Sequence, residues 1–141
     1  ATRAKGRILA EPAQVSSGFG YRRDPFTGRR QHHNGVDLAV PTGTPVYAYK
    51  SGTVSFSGWK CGYGNVVMVS HGDGTETVYG HNSRNRVQVG DQVDNRTTLA
   101  LSGSSGRSTG PHLHFEVRVN GRSVDPEPYL AATSLEVAQA F

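Results

Sequence analysis

The sequence predicts an all-β domain, mostly antiparallel, followed by a short C-terminal helix. Three observations carry this expectation. A content of 18 glycines and 7 prolines in 141 residues suits short strands joined by tight turns better than helices. From Gly35 onward, segment after segment alternates apolar and polar residues with a period of two, the pattern of half-buried strands. Between these segments lie PTG, CGYG, GDGT and SSGRSTGP, all of turn composition.

The elements follow in order. Residues 1–10 (ATRAKGRILA) are basic and without a period, so they read as an arm; with its entry segment, 1–16 is set apart from the domain at 17–130. Between Glu11 and Phe26, Pro12, the SSGFGY cluster and Pro25 leave room for a short strand inside loops. Strands are then expected in VDLAV, PVYAYKSGTVSFSGW, NVVMVSHG, TETVYGH, QVGDQV, TTLALSG and HLHFEVRV. His71-Gly72-Asp73-Gly74 joins two of them as a hairpin, and Asn120-Gly121 is a favoured hairpin pair after the last. Beyond Pro126, LAATSLEVAQAF has helical character with Ser134 as a candidate N-cap, which makes 131–141 a helical tail.

Composition narrows the function classes. The chain is long enough for one domain with a real core. A single cysteine, Cys61, excludes an intrachain disulfide and any Cys-rich zinc pattern. The apolar runs are a few residues long, so none spans a membrane. No signal peptide is visible, so an exported protein would appear here as a processed chain. The formal charge of +4 and pI near 9.5 favour anionic partners: nucleic acid, anionic membranes or bacterial wall polymers. The basic residues are scattered rather than striped between aromatics, which argues against a nucleic-acid-binding barrel.

The chemistry concentrates in two stretches. In GPHLHFEVRVNG, Leu113, Phe115, Val117 and Val119 share one face of a strand, while His112, His114, Glu116 and Arg118 share the other. In HHNGVDLAV, Val36, Leu38 and Val40 alternate onto one face, which places His33 and Asp37 together on the opposite face. Gly35 between them favours an extended chain over a helix. Three ligands drawn from histidine and carboxylate, with a fourth site open to water, describe a catalytic zinc centre. A third polar–aromatic strand ends in TVYGH at His81.

These segments also carry a family resemblance. HHNGVDLAVPTGTPVYA, GYGNVVMVSHGDG, YGHNS and STGPHLHFEV resemble successive motifs of the M23 (LytM/lysostaphin-like) metallopeptidases, in order, from about Ser17 to about Leu130. The resemblance implies an antiparallel sheet flooring a groove, one zinc ion, and hydrolysis of peptide bonds in peptidoglycan within the cell envelope. It implies His33, Asp37 and His114 as zinc ligands and His81 with His112 as the catalytic pair, in place of the glutamate base of HExxH zincins. The family usually reads YAHLS where this chain has YGHNS, so Gly80 and Asn82 depart from it. A monomer is expected, with neither a nucleic-acid partner nor a membrane span.

Other residues read more plainly. His32 points away from its ligand neighbour, and His71 flanks a turn. Cys61 is an idle thiol in a glycine-rich turn; Asp73, Asp91 and Asp94 occupy turn contexts. Glu116 shares the histidine face, where it either pairs with a cation or orients a ligand. The GSSGRSTGP loop lacks GxxxxGK[ST] and forms one wall of the cleft leading to His112; Tyr63 and Trp59 line the other. Two alternative functions remain: a catalytically inactive LytM-type domain that regulates a cell-wall amidase, and a non-haem iron oxygenase with a two-histidine, one-carboxylate triad. All five positions are filled, which disfavours the first; the HxD spacing of the second is absent.

Overall fold

The computed structural model describes residues 7–10, 13–23, 26–106, 108 and 110–130. Its strands, in chain order, begin with β1 (Gln14–Ser17), β2 (Gly20–Arg23), β3 (Arg30–His33) and β4 (Val36–Ala39). There follow β5 (Pro45–Tyr47), β6 (Gly52–Lys60), β7 (Gly64–Ser70), β8 (Thr75–Asn82) and β9 (Arg84–Asn85). The last are β10 (Gln92–Val93), β11 (Thr98–Leu101), β12 (His112–Val119) and β13 (Arg122–Val124). The main sheet runs β1-β4-β12-β8-β7-β6-β10, with β13 also paired to β12. A smaller sheet, β5-β11-β9, and the hairpin β2-β3 complete the architecture. The strand pairings are antiparallel.

The expected alternation decides which face is core. Leu113, Phe115 and Val117 are fully buried, together with Val36, Val67, Val69 and Tyr79 from neighbouring strands and Val46, Leu99 and Ala100 from the smaller sheet. The opposite face of β12 is left to the histidines. Both hairpin expectations match the structure: the His71 N–H donates to the Thr75 carbonyl at 2.9 Å across the GDG turn. Asn120 and Gly121 both take positive φ, 50° and 82°, as the tight turn between β12 and β13 requires.

Two segments differ from the sequence reading. HHNGVD is not one strand but two, broken at Asn34-Gly35, because β3 pairs with β2 while β4 pairs with β1 and β12. Gly35 sits at the crossing, where a Cβ would lie 2.3 Å from the Phe115 carbonyl oxygen and 2.7 Å from Glu116 Cγ. Only a residue without a side chain lets the chain pass there. Ile8 and Leu9, read as part of an arm, are buried in the core, and the Ile8 carbonyl accepts the Tyr47 N–H at 2.7 Å. The surrounding basic residues hide this short apolar pair from a periodicity argument. A single helical turn at 127–130 follows β13, with Asp125 Oδ1 accepting the Glu127 N–H at 3.0 Å as its cap. The helical tail expected at 131–141 lies outside the described residues.

Candidate active site

Strand register gathers the site. β12 lies between β4 and β8, with His114 opposite Asp37 on one side and opposite Gly80 on the other. Asp37 and His114 therefore meet across adjacent strands, and His33 reaches the same point from the end of β3. His114 Nδ1 is 2.9 Å from Asp37 Oδ1, His33 Nε2 is 3.3 Å from that oxygen, and the two ring nitrogens are 3.3 Å apart. One ligand atom from each of these residues falls within 4.8 Å of the others. His112 Nε2 stands 3.5 Å from Asp37 Oδ1, at the edge of this group rather than within it. Ring centroids of His81 and His112 are 4.7 Å apart, and His81 lies 5.8 Å from His114. All five candidate residues thus surround one point.

The backbone fixes which nitrogen each ring presents. The Nδ1–H of His33 donates to the Gly18 carbonyl at 2.8 Å, that of His81 to Ser105 at 2.7 Å, and that of His112 to Gly110 at 2.8 Å. A carbonyl oxygen only accepts, so each Nδ1 carries a proton and, in a neutral ring, each Nε2 offers a lone pair. His114 is turned the other way: its Nδ1 faces Asp37, and its Nε2 faces Glu116 Oε2 at 3.6 Å. That last distance is an electrostatic contact rather than a hydrogen bond. Glu116 is fully buried, and its other oxygen, Oε1, has no hydrogen-bond partner among the described residues.

The donor set fits a cation. Burial alone would raise the Asp37 pKa, but hydrogen bonds from His114 and His33 outweigh it and hold the carboxyl well below its ordinary range. Burial would likewise lower His114, yet the carboxylates of Asp37 and Glu116 push it up to about 9. Two buried carboxylates therefore draw positive charge to the place where two imidazole nitrogens and an oxygen converge. Two nitrogens and one oxygen, with the other ring nitrogens anchored, match a three-ligand zinc site. His81 shows the contrary shift: burial, then the nearby His112 and His114, outweigh its bond to Ser105 and push it down to about 4. At neutral pH it is an uncharged base.

His81 reaches this face by a backbone irregularity that no periodicity argument foresees. Tyr79 packs on Phe115 in the core, with ring centroids 5.5 Å apart, and strict alternation would send His81 to the same side. Instead His81 adopts φ 61°, a left-handed conformation rare for a residue with a Cβ, at a cost on the order of 1–3 kcal/mol. Its side chain turns across to the histidine face. Its N–H donates to the Tyr63 carbonyl at 2.7 Å, and Asn82 Nδ2 spans the kink to the Tyr79 carbonyl at 2.9 Å. Asn82 is fully buried. Its departure from the family's leucine thus bears on the kink and leaves the groove surface untouched.

The remaining candidates separate. His32 is exposed and packs edge-on against Phe19 and Tyr21, away from the site. Tyr63 forms floor rather than wall: its ring lies 5.6 Å from that of His114, and its hydroxyl accepts from Arg118 Nη2 at 3.2 Å. Trp59 and Cys61 are exposed. Asp73 pairs with Lys50 at 2.7 Å, while Asp91 and Asp94 accept local backbone N–H groups, as turn residues do. His71 is more than a turn residue, since it ends a buried hydrogen-bond chain from Thr77 and Tyr79.

Residues 31–126 match the model of peptidase family M23. The chain belongs to this family. It is 44% identical over 139 residues to the DD-carboxypeptidase/endopeptidase Mpg of Neisseria meningitidis, covering 96% of this chain and 32% of that protein. The M23 chain therefore spans about a third of that relative's length. A zinc-containing peptidase from Vibrio cholerae superposes with a TM-score of 0.79 at 38% identity, over 88% of this chain and 39% of that one. The catalytic domain of lysostaphin, an antimicrobial peptidase from Staphylococcus simulans, gives 0.77 at 37% identity, over 84% and 92%. The LytM/lysostaphin-like fold expected from the motifs is the fold of this M23 domain.

Proposed function

We propose that this M23 domain is a zinc-dependent endopeptidase that cleaves peptide bonds of bacterial peptidoglycan, at D,D-bonds between stem peptides. The observation that carries the reading is the convergence of His33, Asp37 and His114 beside two further imidazoles, each held by its Nδ1–H to a backbone carbonyl so that Nε2 is left free. The D,D preference rests on likeness to Mpg. One zinc per chain, a monomer and a place in the cell envelope, outside the cytoplasm, belong to the same proposal. Among the described residues no helix is long and apolar enough to cross a membrane.

His33 Nε2, Asp37 Oδ1 and His114 Nδ1 would hold the ion. Bound there, zinc supplies Lewis acidity toward a peptide carbonyl and toward water. The Nε2 atoms of His81 and His112 are the places where a proton is taken from the attacking water and returned to the leaving amine. A protonated imidazole also offers the developing oxyanion a hydrogen-bond donor. The Ser105 and Gly110 carbonyls keep both rings in the tautomer this work needs. An inactive regulatory domain would have no use for five side chains aligned on one point and held there by backbone carbonyls.

The test is digestion of purified cell walls by zinc-loaded protein. New amino and carboxyl termini are expected, without new reducing sugar ends, and mass spectrometry of fragments from defined peptidoglycans should place the cut at D,D cross-links. Reducing ends that disappear with His114→Ala would overturn peptide hydrolysis; cuts confined to glycine bridges would overturn the D,D assignment. His33→Ala, Asp37→Ala and His114→Ala should each lose zinc and activity together. Stoichiometric zinc in Asp37→Ala would sink the ligand set.

A further inference from the structure

Among the described residues, Ser105 of the loop between β11 and β12 reaches His81. Ser105 accepts the His81 Nδ1–H on its carbonyl at 2.7 Å, and its own N–H points to the His81 carbonyl at 3.4 Å. The Ser105 hydroxyl donates to the carbonyl of Asn82 at 2.6 Å and accepts the Asn65 N–H at 3.1 Å. Ser105 thus grips His81 by ring and backbone and grips the next residue by its carbonyl, across the left-handed kink.

The approach that permits this is bare backbone against backbone. A Cβ on Gly64 would lie 2.5 Å from Ser105 C, and a Cβ on Gly106 would lie 2.3 Å from Gly64 N. Both glycines also take positive φ, 68° and 75°. The β6–β7 turn and the β11–β12 loop therefore interlock around Ser105, and neither could be rebuilt with side chains at those positions.

We propose that Ser105 is the positioning residue for His81. By tying 81–82 to the loop, its hydroxyl holds the strained backbone that swings the ring onto the histidine face. Its carbonyl then fixes the Nδ1–H tautomer, which leaves Nε2 bare for proton transfer. The role differs from that of an ordinary loop serine, whose loss would cost stability and leave the ring's tautomer alone. The inference rests on His81 acting in catalysis, as proposed above.

The test is Ser105→Ala in the zinc-loaded protein, with two readouts besides zinc content. Imidazole nitrogen NMR should show His81 as a single Nδ1–H tautomer in the wild type and as a mixture with the Nε2–H form in the variant. On a defined peptidoglycan fragment, kcat should fall about 10–100-fold with KM little changed, the scale of a misplaced reacting group. Zinc content should be that of the wild type. An unchanged kcat, or a single Nδ1–H tautomer in the variant, overturns the proposal. Should Ser105→Ala not fold, Ser105→Cys fills the same place with a weaker donor and carries both readouts. Full activity of His81→Ala would instead overturn the assignment of His81 itself, which separates the two failures.

Discussion

Replacing Tyr79 by phenylalanine should destabilise the domain by much more than loss of one atom from a well-packed ring suggests. Tyr79 is fully buried. Its hydroxyl accepts the Tyr49 N–H at 2.8 Å and contacts Thr77 Oγ1 at 2.7 Å; Thr77 in turn contacts His71 Nε2 at 2.9 Å, and His71 Nδ1 contacts the Ser51 carbonyl at 2.9 Å. The Ser51 end and the neutral His71 ring set the direction of the chain. Ser51 O can only accept, so His71 Nδ1 carries the proton; burial keeps the ring neutral at pH 7, so its Nε2 accepts from Thr77, and Tyr79 in turn donates to Thr77. Tyr79→Phe leaves the Tyr49 N–H without its acceptor, at a cost of roughly 1–3 kcal/mol. An unfolding entropy of about 2.1 cal/mol/K per residue then gives a fall in Tm of roughly 3–10 °C for a chain of this length. Urea unfolding should show a lower midpoint with an unchanged slope, and zinc content should not move. A Tm within 1 °C of wild type, by the same ~2.1 cal/mol/K scale, would refute the cost assigned to the Tyr49 N–H left without an acceptor.

Three further outcomes are expected. His112→Ala and His81→Ala should each keep zinc and lose roughly two to four orders of magnitude in rate, with the double variant little worse than either because the pair acts as a unit; loss of metal from His112→Ala with its retention in His114→Ala would mean their roles are exchanged. Burial lowers the His71 pKa below its ordinary 6.5 against the opposing Ser51 bond, so its contribution to stability is complete above that pH and is lost as pH falls through the folded value. His71→Gln should therefore make the fall in unfolding free energy from pH 8 to pH 5 shallower, and parallel curves for the two proteins would rule this out. Gly35→Ala should cost about 3 kcal/mol in urea unfolding, as overpacking against backbone does; a change under about 1 kcal/mol would show that β4 and β12 can part there freely.

Period-two patterning was enough to find most strands and to assign the two faces of β12. That is because a half-buried strand writes its environment into every second residue. Tight-turn chemistry was legible at Asn120-Gly121 for a similarly local reason: positive φ at both positions favours those residue types. The segment motifs carried the family, and through it the proposal of His33, Asp37, His81, His112 and His114 as site residues, because spacing along the chain is a one-dimensional property.

Tertiary structure decided what depends on two segments meeting. The break at Gly35 exists because β3 and β4 pair with different strands and the crossing leaves no room for a Cβ. Ile8 and Leu9 join the core because the smaller sheet accepts them, though their neighbours in sequence are basic. The tautomers of three histidines follow from carbonyls of Gly18, Ser105 and Gly110, and no side-chain identity encodes a carbonyl's position. His81 is the sharpest case: alternation points it into the core, and a left-handed backbone held by contacts from Tyr63 and Ser105 turns it toward the other histidines. Sequence chose the imidazole; packing of distant loops chose the side of the sheet on which it lies.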